Sequence, residues 1–125
     1  MKTKEEKRKQ KDYKEWQKQH PDYFVRYEKL TESQKKIVEV CESMKNLLLY
    51  KNEKYGDSAL NPEPIFYKGN ATNSILIRLN DKIGRIKNNT EELPRVNDVC
   101  DVIGYCTLLL VSMEVSKHEI ELLKD

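Results

Sequence analysis

Apolar residues recur at intervals of three and four in three separate stretches of this chain, and no stretch of useful length alternates apolar and polar residues as a strand does. This pattern predicts an all-α protein with three main helices, over about residues 31–54, 72–87 and 94–124. Thr31 and Gln34 have the spacing of a capping box at the start of the first helix. The fold that we expect is therefore a helical bundle.

The third predicted helix is apolar on nearly every side over residues 99–115. A helix at the surface of a monomer carries a polar face. This helix must therefore lie at the centre of the fold or in a subunit interface, and we expect oligomerisation to complete the bundle. Cys41, Cys100 and Cys106 lie within apolar helical patterns without metal-type spacing, which predicts buried, reduced thiols.

The front of the chain differs from the rest in charge. Lys and Arg outnumber Asp and Glu by 12 to 7 over residues 1–36, but not in the remainder. We expect a basic N-terminal helix or arm over residues 1–30, followed by an all-α domain over residues 31–125. Tyr13 and Trp16 lie among the basic residues, an arrangement that suits phosphate contact and base stacking in nucleic-acid binding.

The chain shows no pattern typical of a membrane protein. Its longest uncharged apolar run, residues 102–113, is too short to span a bilayer, and Met1 is followed by Lys and Glu instead of an apolar region. We therefore expect a cytoplasmic protein without a membrane partner.

Two of the predicted helices carry pairs of acids one turn apart. Carboxylates are ligands that Mg²⁺ takes alongside waters and phosphates, so these acids are candidate metal ligands and catalytic groups. The four are Glu39, Glu42, Asp98 and Asp101. Asp101 precedes the most apolar segment, where an unpaired carboxylate is costly, so it needs either a cation or a salt bridge to Arg78 or Arg85. The alternatives are a solvated face for the glutamates and, for Asp98, an acid favoured by the helix dipole.

A row of cations follows one face of the second predicted helix, and two lysines precede a glycine turn at the end of the first. Such cations can bind a chain of phosphates, although a solvated face and an ordinary helix stop are the alternatives. The candidate phosphate ligands are Lys51, Lys54, Arg78, Lys82 and Arg85, and the candidate base or sugar contacts are Asn52, Tyr55 and Tyr105.

Three motifs occur in a distinctive order: KN-x-x-YGD from Lys51, IRL-x-DK-x-x-R from Ile77 and D-x-x-D-V-I-GY from Asp98, with x standing for any residue. They resemble the nucleotide modification associated domain family of phages and bacteria and, more distantly, the all-α nucleoside triphosphate pyrophosphatases, the MazG-like and dimeric dUTPase-like enzymes.

The resemblance to the pyrophosphatases implies two acid pairs that coordinate Mg²⁺ while a metal-activated water attacks the phosphate chain. Glu39 and Glu42 match the first pair, and Asp98 and Asp101 the second. This chain differs in two respects: it lacks a doubled glutamate at the start of the first motif, and Asp98 replaces the usual Glu.

These observations lead to three hypotheses. The first is a cytoplasmic, oligomeric Mg²⁺-dependent nucleotide pyrophosphohydrolase of a bacterial cell or a phage. The second is a module that binds or sequesters a nucleotide without cleaving it, in which the acids only pair with the phosphate-binding cations. The third is a nucleic-acid-binding protein that uses its basic front.

Overall fold

The computed structural model describes residues 1–19, 29–63 and 69–123 of the chain, so parts of the predicted front segment and of the loop after the first predicted helix lie outside the described residues. Five α-helices and no strand occur in the described part, which confirms the all-α class. The helices are α1 (Lys4–Gln19), α2 (Glu32–Lys54), α3 (Ala71–Asn88), α4 (Val96–Ser112) and α5 (Lys117–Glu121). None of these described helices combines the length and the apolar character needed to cross a bilayer.

Helix α2 begins and ends where the sequence predicts. The Thr31 hydroxyl accepts from the backbone N–H of Gln34, and the Gln34 side chain accepts from the backbone N–H of Thr31, so the capping box is present. The helix stops at Tyr55, and Gly56 then adopts a left-handed conformation with φ of 61°. Asp57 is also left-handed, with φ of 60°, and this turns the chain sharply away from the helix.

Helix α4 lies between α2 and α3 and runs antiparallel to both. The Thr72 hydroxyl donates to that of Ser112 at 3.0 Å, which brings the start of α3 to the end of α4. On the other side, Gly104 is so close to α2 that a Cβ atom there would lie 3.0 Å from Cδ2 of Leu48. The contact therefore depends on the missing side chain of Gly104. Ile75 is completely buried among these helices.

The predicted third helix is wrong beyond Ser112. Glu114 adopts a left-handed conformation with φ of 58°, and the N–H of Val115 donates to the carbonyl of Leu110, which closes the end of α4. Ser116 and Glu119 form a second capping box that starts the separate helix α5. The prediction failed because the apolar pattern continues through the break, although Ser116 and Glu119 have capping-box spacing in the sequence.

The front of the chain is a helix, which confirms that alternative over residues 4–19. Helix α1 has no buried residue. The Tyr13 ring stacks on the Trp16 ring at a centroid distance of 6.4 Å and meets the His118 ring of α5 at 5.6 Å. Because the Tyr13 ring already contacts the rings of Trp16 and His118, it is only partly available to stack on a nucleic-acid base.

One face of α4 is left uncovered by the residues that the structure describes. Its apolar residues recur at intervals of four, three, four and three, and the four large ones are between 38% and 56% exposed. The stripe consists of Val99, Ile103, Cys106, Leu110 and Met113. The prediction of buried thiols is wrong for Cys106 in this stripe and for Cys41 on α2, which are free and exposed. Among the described residues, then, α4 packs against α2 and α3 on one side and exposes its apolar stripe on the other.

Candidate functional site

A cavity of about 410 Å³ lies between the C-terminal half of α2, Arg78 in the middle of α3 and the middle of α4. Six of the residues predicted for a nucleotide site line it together: Lys51, Asn52, Tyr55, Arg78, Asp101 and Tyr105. The deeper wall is aliphatic, formed by Met44, Leu47, Leu48 and Leu108. The cavity thus combines an apolar wall with two tyrosines and with charged groups from all three helices, which is the usual composition of a small-molecule site.

Asp101 forms the electrostatic centre of this cavity. One carboxylate oxygen lies 2.9 Å from Nζ of Lys82, and the other lies 3.5 Å from Nζ of Lys51. Asn97 donates to the first of these oxygens at 3.4 Å. The side chains of Asp101 and Lys82 are only 14% and 18% exposed, so this ion pair is partly shielded from water. Asp101 therefore has the salt bridge that its position requires, with two lysines as partners.

The pKa of Asp101 reflects two opposing influences. Burial raises the pKa, but the hydrogen bond and the charge of Lys82, together with those of Lys51, outweigh it and hold the pKa below its ordinary value of 3.8. A depressed carboxyl pKa means that the ionised form stabilises the folded state above the unfolded pKa, and that this stability disappears as pH falls through the folded pKa.

We expect Asp101→Asn to lower the free energy of unfolding by about 1.5 to 3 kcal/mol at neutral pH, because Lys82 loses a charged hydrogen-bond partner in a partly buried setting. The loss should begin to shrink as the pH falls below 3.8, the ordinary pKa of the carboxyl in the unfolded chain, and should disappear as the pH falls through the lower pKa of the folded protein. Urea unfolding of both proteins across this pH range measures the difference. An effect of equal size at both ends of the range would contradict the ion pair as its source.

The glycine turn after α2 acts as a helix stop. The backbone N–H groups of Gly56, Asp57 and Ser58 donate to carbonyls of the preceding helix turn, so none of them is left to bind a phosphate. The carboxylate of Asp57 accepts from the side-chain amides of Asn52 and Asn61 and fixes both. What the turn offers to the cavity is the Ser58 hydroxyl, which has no hydrogen-bond partner among the described residues.

Three of the five predicted phosphate ligands lie outside the cavity lining, and one of them, Lys82, is linked to it only through its ion pair with Asp101. Nζ of Lys54 is 5.8 Å from the ring centroid of Tyr50, a cation–π contact on the outer side of α2. Arg85 lines a second, more polar cleft with Arg95 and the acids Asp81 and Asp98. The structure therefore divides the predicted row of cations between two places.

The four predicted metal ligands are separated by the direction of the helices. Because α2 and α4 are antiparallel and Lys51 meets Asp101, Glu42 and Glu39 lie roughly 14 and 18 Å back along α2 from that level. Glu42 pairs with Lys45 at 2.6 Å, and both glutamates are exposed. No group of three or more acidic, His or Cys side chains suited to a metal occurs in the described residues.

Asp98 differs from the other three acids. It is 4% exposed, and no hydrogen bond or ion pair reaches its carboxylate from any residue that the structure describes. It lies one turn before Asp101 and lines the second cleft. Its oxygens are not among the described buried side-chain atoms that lack a hydrogen-bond partner, so water reaches them from the cleft, where a cation could also bind.

Sequence reasoning missed the aliphatic wall of the cavity and the role of Lys82. The wall was visible as a pattern, since Lys51, Asn52 and Tyr55 continue the apolar stripe of α2 at helical spacing and so face the same way as Leu47 and Leu48. No pattern indicated that Lys82 would be the nearer partner of Asp101, because Arg78 lies one turn away on the same face.

No family model matches the chain, and no curated protein or solved structure matches it either.

Proposed function

We propose that the protein binds a nucleotide in the cavity between α2, α3 and α4. The observation that carries this proposal is the convergence of Lys51, Arg78 and two tyrosines on one aliphatic-walled cavity of about 410 Å³. Tyrosine rings and aliphatic side chains suit a base and a sugar, and ammonium and guanidinium groups suit a phosphate.

Asp101 gives the proposed site a defined resting state. Without ligand, Lys51 and Lys82 are held by one carboxylate and remain together in a partly buried position. An incoming phosphate would share these ammonium groups with Asp101 and would find them already in place, which lowers the cost of ordering them on binding. In this arrangement Asp101 positions Lys51 and Lys82. The contacts of Asp101 therefore support nucleotide binding more than they support nucleotide cleavage.

Arg78→Gln tests the phosphate assignment. If the guanidinium makes a charge-assisted bond to phosphate, this change should weaken nucleotide binding by about 1.5 to 3 kcal/mol, or roughly 10- to 150-fold. The same change at Arg85, on the same helix but in the second cleft, should cost less than about threefold. Calorimetric titration with a panel of nucleotides measures both. Equal losses for the two variants would contradict the cavity as the site and would favour a phosphate chain along α3.

A second candidate function is Mg²⁺-dependent pyrophosphohydrolysis, and Asp98 favours it. Its carboxylate opens on the second cleft without a protein partner among the described residues, and Mg²⁺ is commonly held by one or two carboxylates together with waters and substrate phosphates. Asp98, with Asp101 one turn away, would hold the ion. When bound, Mg²⁺ would neutralise phosphate charge and lower the pKa of a bound water.

We expect Asp98→Asn to leave stability in EDTA unchanged or higher, since no described protein group pairs with the carboxylate, and to abolish any stabilisation by Mg²⁺. Thermal melts in EDTA and in excess Mg²⁺, together with phosphate and pyrophosphate release, provide the measurement. A large loss of stability in EDTA would exclude the metal role for Asp98, because it would reveal a structural partner.

We also propose that the protein is a homo-oligomer. The chain exposes 10691 Å², whereas a compact monomer of this mass exposes roughly 7,000 Å². Part of the excess belongs to α1, which buries no residue. The apolar stripe of α4 contributes another part, and its spacing of four and three is the spacing of a helix–helix seam. A second copy of the chain carries the same apolar stripe, and two-fold symmetric dimers are the commonest oligomers of soluble proteins.

A further inference from the structure

We propose that the cavity selects a nucleoside monophosphate, bound as the dianion, over the corresponding di- and triphosphates. This inference rests on the proposed nucleotide site and specifies its ligand.

The charge of the site limits it to a single phosphate group. Five described charged groups line the cavity or contact a residue that lines it: Lys51, Lys82, Arg78, Asp101 and Asp57, the last through Asn52. Three cations and two carboxylates give a net charge of +1. A phosphate monoester carries about −1.5 to −2 at neutral pH. One such group already outweighs this net charge, and every further phosphate would bring charge that these groups do not balance.

The positions of the cations favour the same conclusion. Nζ of Lys82 and Nζ of Lys51 lie within 2.9 and 3.5 Å of the two oxygens of one carboxylate, so both ammonium groups are close to one point. A compact anion in the cavity can contact Lys51 and Arg78, which line it, and would contact Lys82 only by sharing it with Asp101. A phosphate chain requires a row of cations, and the predicted row is interrupted because Arg85 faces the second cleft.

The second cleft does not extend the phosphate site. Its charged lining consists of Arg85 and Arg95 together with Asp81 and Asp98, so the two acids balance the two arginines. Asp98 is buried there without a partner among the described residues, and its charge would repel an approaching phosphate. The cavity itself, at about 410 Å³, is close to the lower end of ligand sites, which measure about 300 to 1,000 Å³.

Calorimetric titration in EDTA at fixed ionic strength tests the proposal. The probes are adenosine, guanosine, cytidine, uridine and thymidine, each as the free nucleoside and as its 5′-mono-, di- and triphosphate. For the base that binds best, we expect the monophosphate to bind at least tenfold more tightly than both the nucleoside and the triphosphate. The methyl ester of that monophosphate keeps the shape but has one charge fewer, and it should bind at least tenfold more weakly than its parent.

A triphosphate that binds as tightly as the monophosphate, or a methyl ester that matches its parent, overturns the preference while the nucleotide site remains. Failure of every probe to bind overturns the proposed function as well.

Variants of α2 add an independent measurement. Lys51→Gln should weaken binding of the monophosphate at least tenfold, because Lys51 is one of the two ammonium groups at the carboxylate. Lys45→Gln, on the same helix but paired with Glu42, should change it less than threefold. Equal effects of the two changes would show that the phosphate senses only the overall charge of the helix, which would contradict the proposal.

Discussion

Replacing Ile103 with Glu should dissociate the protein into monomers at micromolar concentration, whereas the wild-type chain should sediment as a dimer or a larger assembly. Ile103 lies in the middle of the exposed apolar stripe of α4 and is 39% exposed in the single chain. If two copies cover this stripe, the change buries a charge without a partner in each copy, and the cost is several kcal/mol. Analytical ultracentrifugation of both proteins measures the effect.

Asn46→Glu is the matched control for that experiment. It adds the same charge to an exposed position on the polar side of α2, beside Glu42. We expect this variant to sediment as the wild-type chain does. A monomeric wild-type protein, or equal dissociation of both variants, would contradict the proposed interface.

Ile75→Ala should lower the free energy of unfolding by about 2 to 5 kcal/mol, because it removes a buried side chain and leaves a cavity. Ile75 is the largest fully buried side chain among the described residues, and it lies on α3 where that helix packs against α4. Met44 and Ile75 are the only buried apolar side chains among the described residues, so this truncation removes a large share of the core that they form. Urea or guanidinium unfolding gives the difference directly.

The control for this change lies two positions further along α3. Ile77 is 53% exposed, so Ile77→Ala removes the same atoms from a site that water already reaches, and it should cost less than about 1 kcal/mol. Similar losses for Ile75→Ala and Ile77→Ala would mean that α3 does not bury Ile75 while leaving Ile77 exposed, which would contradict the packing of α3 against α4.

The sequence predicted the helices where local signals agreed with the apolar pattern. Helix α2 illustrates this, because Thr31 and Gln34 define its start and Gly56 follows its end. Helix α4 illustrates the opposite case. Its apolar pattern continues beyond Ser112, so the pattern does not show where the helix ends. The left-handed conformation of Glu114 was not predictable either, because glutamate rarely adopts it.

The site was predictable where its residues share one helix face, and unpredictable where it depends on how the helices cross. Lys51, Asn52 and Tyr55, which one sequence motif had grouped, line the same cavity because they continue one stripe of α2. Glu42 and Asp98 were assigned to one metal site because their motifs resemble the two acid pairs of the pyrophosphatases. The antiparallel direction of α2 and α4 separates Glu42 from the level of Asp101, and spacing within a helix carries no information on that direction.

The location of the nucleotide is tested most directly by amide chemical-shift mapping of the ¹⁵N-labelled protein during titration with the best-binding nucleotide. We expect the largest shift changes in the second half of α2 and the turn after it, at Arg78, and in α4 from Cys100 to Leu108, which together form the cavity. Helix α1 and the second cleft at Asn88 and Arg95 should change little. Changes concentrated in α1 or in the second cleft, or no change with any nucleotide, would contradict the proposed site.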